Sequence, residues 1–183
     1  GHSHQAWPDV GREGVLEAWD DAALHVDEKW EHAFAKAERV RDGFRALLGE
    51  PGAELALDQN TFGLVTRFLS ALDFDRRPRL VTTDGEFHTI RRQMDRFADE
   101  GIDVRKVAAH PVDTLADRLA SDVTDRTLAV LVSSVLFETA AIVPGLDRIA
   151  AACATHGAEL LIDAYHQLDA VRSDRTLIKR AIE

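Results

Sequence analysis

The stretch LLIDAYHQLDAV, residues 160–171, places a carboxylate directly after a run of apolar residues. Asp163 ends what reads as a buried strand, and His166 follows three residues later. A carboxylate in an apolar setting costs free energy unless a cation or hydrogen-bond donors compensate it. The protonated nitrogen of a heterocyclic ligand would match Asp163. A metal ion or a phospho-acceptor role would favour further acids nearby, and Asp84 is the one other candidate at a strand end.

Two further segments carry residue types suited to ligand binding. Asn60 and Thr61 open an amphipathic stretch and are good helix caps, and the free N–H groups at a helix start also favour a phosphate. Phe87, in DGEFHT, follows a predicted strand and serves either as core or as a stacking surface for a flat ring. His88 beside it reads as a solvated or capping residue. No GxGxxG or GxxxxGK pattern is present, which argues against a dinucleotide or P-loop nucleotide.

Strands and helices that alternate along the chain must position these residues. Helical spacing covers residues 7–26 and 27–50, and strand-like runs follow at 54–59, 79–84, 102–109, 126–137 and 158–165. Helical stretches at 60–74, 86–101, 111–123 and 143–157 separate those runs. The alternation predicts an α/β fold: a mostly parallel sheet with helices on both faces, preceded by N-terminal helices. Since ligands bind at the carboxyl ends of such strands, the polar residues at 60–61, 84–89, 133–139 and 163–166 should line one edge.

The composition argues against two classes of partner. The 183 residues carry a formal net charge of -10, which opposes binding to nucleic acid and to anionic lipid. No apolar run approaches the roughly 20 residues needed to span a bilayer. Cys153 is the single cysteine, so no internal disulfide forms, and its apolar helical setting predicts a core thiol. Together these features predict a cytoplasmic protein.

Four segments in order resemble one known family. SHQAWPDVGREGVLEAW, LALDQNTFGLVTRFLSAL, LVTTDGEFHTIRRQMDRF and LLIDAYHQLDAV are similar to the large domain of fold-type-I enzymes that use pyridoxal 5'-phosphate (PLP). Within these enzymes the chain resembles the class V aminotransferase superfamily, and kynureninase-like proteins most of all. The resemblance implies PLP as cofactor, a small-molecule amino-acid substrate, and a homodimer in which N-terminal helices join the subunits.

The resemblance also implies roles for individual residues. Asn60 and Thr61 would lie in the turn that binds the PLP phosphate, and Phe87 would stack on the pyridine ring. Asp163 would pair with the pyridine nitrogen, and His166 would lie near the phenolic oxygen of the ring or near the substrate.

The loop of residues 137–139 would edge the cofactor. Desulfurase relatives carry an asparagine in this region, and its absence here disfavours a desulfurase.

One element of the family pattern is not found at its expected place. The family's Schiff-base lysine follows the aspartate on a strand-end turn, whereas only Lys179 follows Asp163 here, in a stretch that reads as helical. The catalytic residue therefore stays unassigned, and we expect the chain to be part of a longer enzyme. The expected divisions are a helical arm at 1–50, an incomplete PLP-binding domain at 51–171, and a helical segment at 172–183 that belongs to a later part of the parent chain.

The first functional expectation is a hydrolase of the kynureninase type, which cleaves a carbon–carbon bond of an amino acid. The alternatives are an aminotransferase, epimerase or desulfurase of the same superfamily, and a non-catalytic fragment or pseudoenzyme without the lysine. A receiver-like domain with Asp163 as acceptor fits the N-terminal helical arm poorly. Trp19 and Trp30 of that arm are candidates for a dimer interface, a substrate pocket or plain core packing.

Overall fold

The computed structural model describes residues 6–168 of the chain. The chain divides into two compact units, with the boundary between Leu55 and Ala56. The first unit is a pair of helices, and the second is an α/β unit.

The first unit, here called the helical hairpin, contains α1 (Asp9–Leu24) and α2 (Lys29–Leu48). Both helices were predicted from their spacing of apolar residues. Gly49 ends α2 with a left-handed φ of 72°, a conformation that glycine adopts without the penalty of a Cβ atom. No residue of either helix is buried. Among the described residues, no helix is long and apolar enough to cross a membrane.

The predicted strand at residues 54–59 is wrong, because the structure has no strand there. Arg41 Nε of α2 donates to the carbonyl oxygen of Leu55 at 2.9 Å, and Arg45 Nε donates to that of Ala53 at 3.0 Å. A segment in which apolar and polar residues alternate forms a strand only where its backbone can hydrogen-bond to a neighbouring strand. Here the guanidinium groups of Arg41 and Arg45 bind the backbone carbonyl oxygens instead.

The α/β unit contains a sheet of four parallel strands in the order β2-β1-β3-β4. The strands are β1 (Arg79–Thr83), β2 (Asp103–Val107), β3 (Thr127–Ser133) and β4 (Glu159–Asp163). The helices of this unit are α3 (Thr61–Ser70), α4 (His88–Asp99), α5 (Leu115–Asp122) and α6 (Leu146–His156). The predicted α/β class with a parallel sheet is confirmed.

Helices cover both faces of the sheet, which explains why its central strand is apolar throughout. Every residue of β3 is buried. On one face the strands pack against α5 and α6, in a cluster that includes Val81, Val130, Val132, Leu119 and Ile149. On the other face they pack against α3 and α4, in a cluster that includes Leu80, Leu131, Val65, Leu69 and Met94. Cys153 is buried in the first cluster, as predicted, and desolvation raises the pKa of its thiol to about 12.

The order of the strands fixes where a ligand can enter. The chain passes from β1 through α4 to β2, and β3 then pairs with the other side of β1. The direction in which strands are added therefore reverses between β1 and β3. In open parallel sheets a crevice opens at such a reversal, outside the carboxyl ends of the strands.

Candidate functional site

Aromatic rings from three strand ends meet at this reversal. Phe87 follows β1, Phe137 follows β3, and His166 follows β4. The ring centroids of Phe87 and Phe137 lie 5.2 Å apart in an edge-on arrangement, and those of Phe87 and His166 lie 6.0 Å apart. His88 also contacts Phe137, with centroids 5.1 Å apart. The structure thus brings together Phe87, His166 and the loop at 137, which the sequence analysis had selected separately.

Asp163 is the last residue of β4 and pairs in register with Ser133 at the end of β3. It is half-buried rather than fully buried. Its Oδ1 accepts a hydrogen bond from Tyr165 N at 2.9 Å, and its backbone carbonyl accepts from Ser134 N and Oγ at 2.9 and 3.1 Å. Within residues 6–168 no donor binds its other carboxylate oxygen. Asp163 can therefore accept a hydrogen bond from a ligand while it keeps the hydrogen bond from Tyr165 N.

Glu86 is a second carboxylate at the same edge, and it is only 1% exposed. Its Oε1 accepts from Thr83 Oγ1 at 2.7 Å and from Ser133 N at 3.2 Å, and its Oε2 accepts from Ser133 Oγ at 2.5 Å. Burial raises the pKa of this carboxyl, and the charge of Asp163 acts in the same direction, while the hydrogen bonds oppose the shift. Glu86 thus ties the ends of β1 and β3 together next to Phe87.

Residues 84–89 and 133–139 were predicted to be polar strand ends, but roles for Glu86 and Ser133 in particular were not predicted from the sequence. The available signal was a glutamate three residues after Thr83, in the turn between a strand and a helix. Only the pairing of β1 with β3 shows that Ser133 completes its hydrogen bonds.

The start of α3 shows the geometry of a capped helix. Thr61 is the first residue of α3, and Asn60 Oδ1 accepts a hydrogen bond from Gly63 N at 3.0 Å. The carboxylate of Asp58 lies against the same turn, so that a Cβ atom on Gly63 would come within 2.6 Å of it. Arg67 Nε pairs with Asp58 Oδ2 at 3.1 Å. A phosphate bound at the start of α3 would therefore lie close to the negatively charged carboxylate of Asp58.

The α3 helix packs against α4, whose first residue follows Phe87. Between the two helices lies a cavity of about 530 Å³, lined by Phe62, Thr66, His88, Thr89, Gln93 and Phe97 among others. His88 therefore faces both the aromatic cluster and this cavity. A flat, partly apolar ligand would find aromatic walls on both sides of this residue.

Asp84 lies on the other side of Glu86, away from the end of β4. Its Oδ1 accepts a hydrogen bond from Ala109 N at 2.7 Å. It lines a cavity of about 280 Å³ together with His110, Glu138 and Thr139. In the described part of the chain, no group of three possible metal ligands includes Asp84 or Asp163. The metal alternative for Asp163 therefore has no support among these residues.

The residues at this edge fit PLP at the ring end and less well at the phosphate end. Phe87 offers an aromatic face, and Asp163 offers a carboxylate oxygen that binds no donor within residues 6–168 and could accept from a protonated ring nitrogen. The helix start at Thr61 offers free N–H groups, but Asp58 adds a negative charge beside them.

The lysines in residues 6–168 have partners elsewhere. Lys36 binds Glu17 and Asp21, Lys106 binds Asp95, and the ammonium of Lys29 lies 5.7 Å from the ring centroid of Trp30. Lys179 lies outside the described residues.

No protein-family model and no curated protein matches this chain. Solved structures do match it. DndA from Streptomyces lividans superposes with a TM-score of 0.70 at 17% identity, covering 95% of this chain and 49% of DndA. The complex of the cystine C–S lyase C-DES with its product cysteine persulfide gives 0.69 at 19% identity, covering 92% and 47%. A lysine-to-alanine variant of C-DES with glycine covalently linked to the PLP cofactor gives 0.54 at 22% identity, covering 83% and 43%.

These similarities confirm the predicted fold, a PLP-transferase-like α/β large domain. The chain spans 35% of mouse CSAD, 47% of C-DES and 49% of DndA, which is less than half of each of these structures. At identities of 17–22% the likeness is one of fold, and it does not distinguish a kynureninase from a C–S lyase.

Proposed function

We propose that this chain is the PLP-binding part of an enzyme that acts on an amino acid. The observation that carries the proposal is the position of the half-buried Asp163 carboxylate, at the end of β4 and at the same sheet edge as the neighbouring rings of Phe87 and His166. The similarity of fold to C-DES, which has been solved with PLP, supports it.

PLP, when bound, supplies an electron sink for carbanion chemistry. Asp163 would accept a hydrogen bond from the ring nitrogen and keep that nitrogen protonated. Phe87 would hold one face of the ring, and His166 would lie beside the ring or the substrate. The N–H groups at Asn60 and Thr61 would bind the phosphate.

Glu86 would act as a positioning residue for this site. Its three hydrogen bonds fix the turn between β1 and α4, and Phe87 is the residue that follows it. Glu86 joins β1 to β3, and Ser133 at the end of β3 pairs in register with Asp163 of β4. Glu86 therefore helps to fix the position of Phe87 relative to Asp163.

The proposed reaction is the hydrolytic carbon–carbon cleavage of a kynurenine-type amino acid, on the strength of the resemblance in sequence. Cleavage of a carbon–sulfur bond is the second candidate, and the similarity of fold to the C–S lyase C-DES favours it. Both reactions need a lysine that bonds to the cofactor. In our proposal it comes from outside residues 6–168.

The Asp163→Asn variant tests cofactor binding. Loss of a charge-assisted hydrogen bond, worth about 1.5–3 kcal/mol, should weaken PLP binding at least about tenfold. The matched control is Asp84→Asn, which removes the same charge from the same sheet edge and should change the affinity less than about threefold. Affinity is measured by equilibrium dialysis and by PLP absorbance, with circular dichroism to verify the fold. An unchanged affinity in Asp163→Asn would remove Asp163 from the site.

Activity assays separate the two reactions. The PLP-loaded protein is incubated with kynurenine, and anthranilate is followed by fluorescence; cystine is used in parallel, and sulfane sulfur is measured. Borohydride treatment followed by peptide mapping identifies any lysine that bonds to PLP, with Lys179 as the residue to inspect first. PLP binding without either product and without a modified lysine would support the non-catalytic alternative.

We also propose a homodimer. The helical hairpin exposes large apolar side chains, including Trp19 at 74%, Trp30 at 59% and Phe34 at 69%. The rings of Trp30 and Phe34 lie side by side on α2, with centroids 6.4 Å apart, and exposed apolar patches are typical of interaction sites.

A further inference from the structure

Two histidines and an aspartate converge in the helical hairpin, in the unit that does not carry the proposed PLP site. Asp21 and His25 are four residues apart at the end of α1, and His32 lies in the first turns of α2. One ligand atom of each residue lies within 4.8 Å of those of the other two. The geometry points to a zinc-class metal site formed by Asp21, His25 and His32, with a fourth position open to water.

The spacing along the chain explains why these groups meet. His25 is the residue directly after α1, and its N–H donates to the carbonyl oxygen of Asp21 at 3.0 Å. The i and i+4 side chains of Asp21 and His25 therefore lie on the same face at the end of the helix. The reversal between the two helices then brings the first turns of α2 to that face. His32 Nδ1 lies 2.9 Å from Asp21 Oδ1, and the ring centroids of His25 and His32 are 4.7 Å apart.

The type of ligand selects the metal. Two imidazoles and one carboxylate suit Zn²⁺ and its neighbours Co²⁺, Ni²⁺ and Cu²⁺, whereas Mg²⁺ and Ca²⁺ prefer oxygen ligands only. Bonds of about 2.0–2.1 Å in a tetrahedral zinc site put ligand atoms about 3.3 Å apart. Atoms within 4.8 Å can close to that distance through rotation of the side chains. Three protein ligands plus water is a known arrangement for zinc.

The carboxylate of Asp21 already contacts two side chains of α2. His32 Nδ1 contacts Oδ1, so a metal ion bound between these residues would replace this hydrogen bond. Lys36 Nζ binds Asp21 Oδ2 at 3.1 Å and Glu17 Oε1 at 3.0 Å. The contact with Lys36 uses the carboxylate oxygen that is turned away from His32, so it can persist as an outer contact when Oδ1 binds a metal.

The binding test uses the full 183-residue chain with His2 and His4 replaced by alanine in every sample, so that the N-terminal histidines contribute nothing. Zn²⁺ is titrated against a chromophoric zinc chelator at pH 7.5. We expect one equivalent of Zn²⁺ per chain, a raised melting temperature for the hairpin, and no displacement by millimolar Mg²⁺.

The His25→Ala and His32→Ala variants should each weaken Zn²⁺ binding at least tenfold. The matched control is His156→Ala, because His156 Nδ1 makes a similar contact with Asp125 Oδ1 at 2.7 Å but belongs to no such cluster among the described residues. The control should bind Zn²⁺ as the parent does. Far-ultraviolet circular dichroism verifies that each variant remains helical.

A Co²⁺ spectrum of the parent chain gives an answer that does not depend on variants. Absorption in the visible region typical of four-coordinate Co²⁺, lost on addition of Zn²⁺, would support the site. Absence of stoichiometric binding in the parent, or equal binding in the parent, His25→Ala and His32→Ala, would overturn the proposal. Since the test requires neither PLP nor activity, its outcome is independent of the proposed enzymatic function.

Discussion

The helical hairpin and the α/β unit differ in how far their apolar side chains are buried. The α/β unit buries its apolar residues in two clusters, one on each face of the sheet. The hairpin leaves its large apolar side chains at least partly in solvent, and neither of its helices has a buried residue. Most helical stability in proteins comes from packing of an amphipathic face, so the hairpin helices as described lack the main source of it.

The difference shows where each part of the molecule gets its stability. Within the described residues, the sheet and the α-helices that cover it contain the hydrophobic contacts that a folded domain needs. The hairpin contains ion pairs, such as those of Arg45 with Glu38 and Asp42, but exposed pairs of this kind contribute little to stability. We therefore expect the hairpin to gain stability from a partner, from a metal ion, or from both.

The largest expected effect tests the comparison directly. Leu131→Ala opens a cavity in the centre of β3 and should lower the free energy of unfolding of the α/β unit by about 2–5 kcal/mol. Leu16→Ala makes the same chemical change at a site in α1 that is 48% exposed, and should change stability by no more than about 0.5 kcal/mol.

Chemical denaturation can follow the two units separately. The three tryptophans, Trp7, Trp19 and Trp30, all lie in the hairpin unit, so their fluorescence reports on it, while circular dichroism reports on both units. Equal effects of the two leucine substitutions would contradict the comparison.

The second prediction concerns the exposed face of the hairpin. If the homodimer forms through it, Trp19→Ser should remove a large interface side chain and weaken dimerisation by about 2 kcal/mol or more, roughly 30-fold. Ile142→Ser is the matched control, because Ile142 is 52% exposed but lies in the α/β unit. Sedimentation velocity over a range of concentrations measures both variants. A parent chain that is monomeric at micromolar concentration would contradict the dimer.

Local patterns in the sequence predicted most of the α/β unit. The apolar runs in β3 and β4 indicate buried strands. Gly157 ends α6 in a left-handed conformation, as a C-terminal glycine suggests. Residues 54–59 also have a strand-like pattern, in which apolar and polar residues alternate, but they form no strand. The local pattern alone therefore led to a wrong prediction there.

Contacts between distant residues explain what the sequence could not give. The hydrogen bonds of Glu86 depend on the pairing of β1 with β3, and Ser133 is 47 residues away along the chain. The approach of His32 to Asp21 likewise depends on how α1 and α2 meet. The expectation that the polar residues after parallel strands lie at one edge of the sheet did predict that Phe87, His166 and Asp163 share an edge. This expectation depends only on the strands being parallel and not on particular side-chain contacts.

The smallest expected effects come from two carboxylates whose pKa values shift in opposite directions. Burial raises the pKa of Glu86 above its usual 4.5, whereas hydrogen bonds from His32 and Lys36 lower that of Asp21 below 3.8. Replacing Glu86 by alanine would leave buried donors without acceptors, at a cost of about 1–3 kcal/mol. Glutamine keeps these contacts in the geometry of the protonated acid, so Glu86→Gln isolates the effect of ionisation.

The sign of the pH dependence follows from linkage. Above pH 4.5 the folded state holds the proton of Glu86 more tightly than the unfolded state does, so its contribution to stability falls as pH rises through the raised pKa. The stability of the parent relative to Glu86→Gln should therefore decrease from pH 4.5 upward. Asp21 behaves oppositely, because its contribution to stability is present above pH 3.8 and is lost as pH falls through the lowered pKa. As pH falls below 3.8, the parent should therefore lose stability relative to Asp21→Asn. Denaturation at a series of pH values in the presence of a chelator measures both differences, and slopes of the same sign would show that the two carboxylates do not differ in this way.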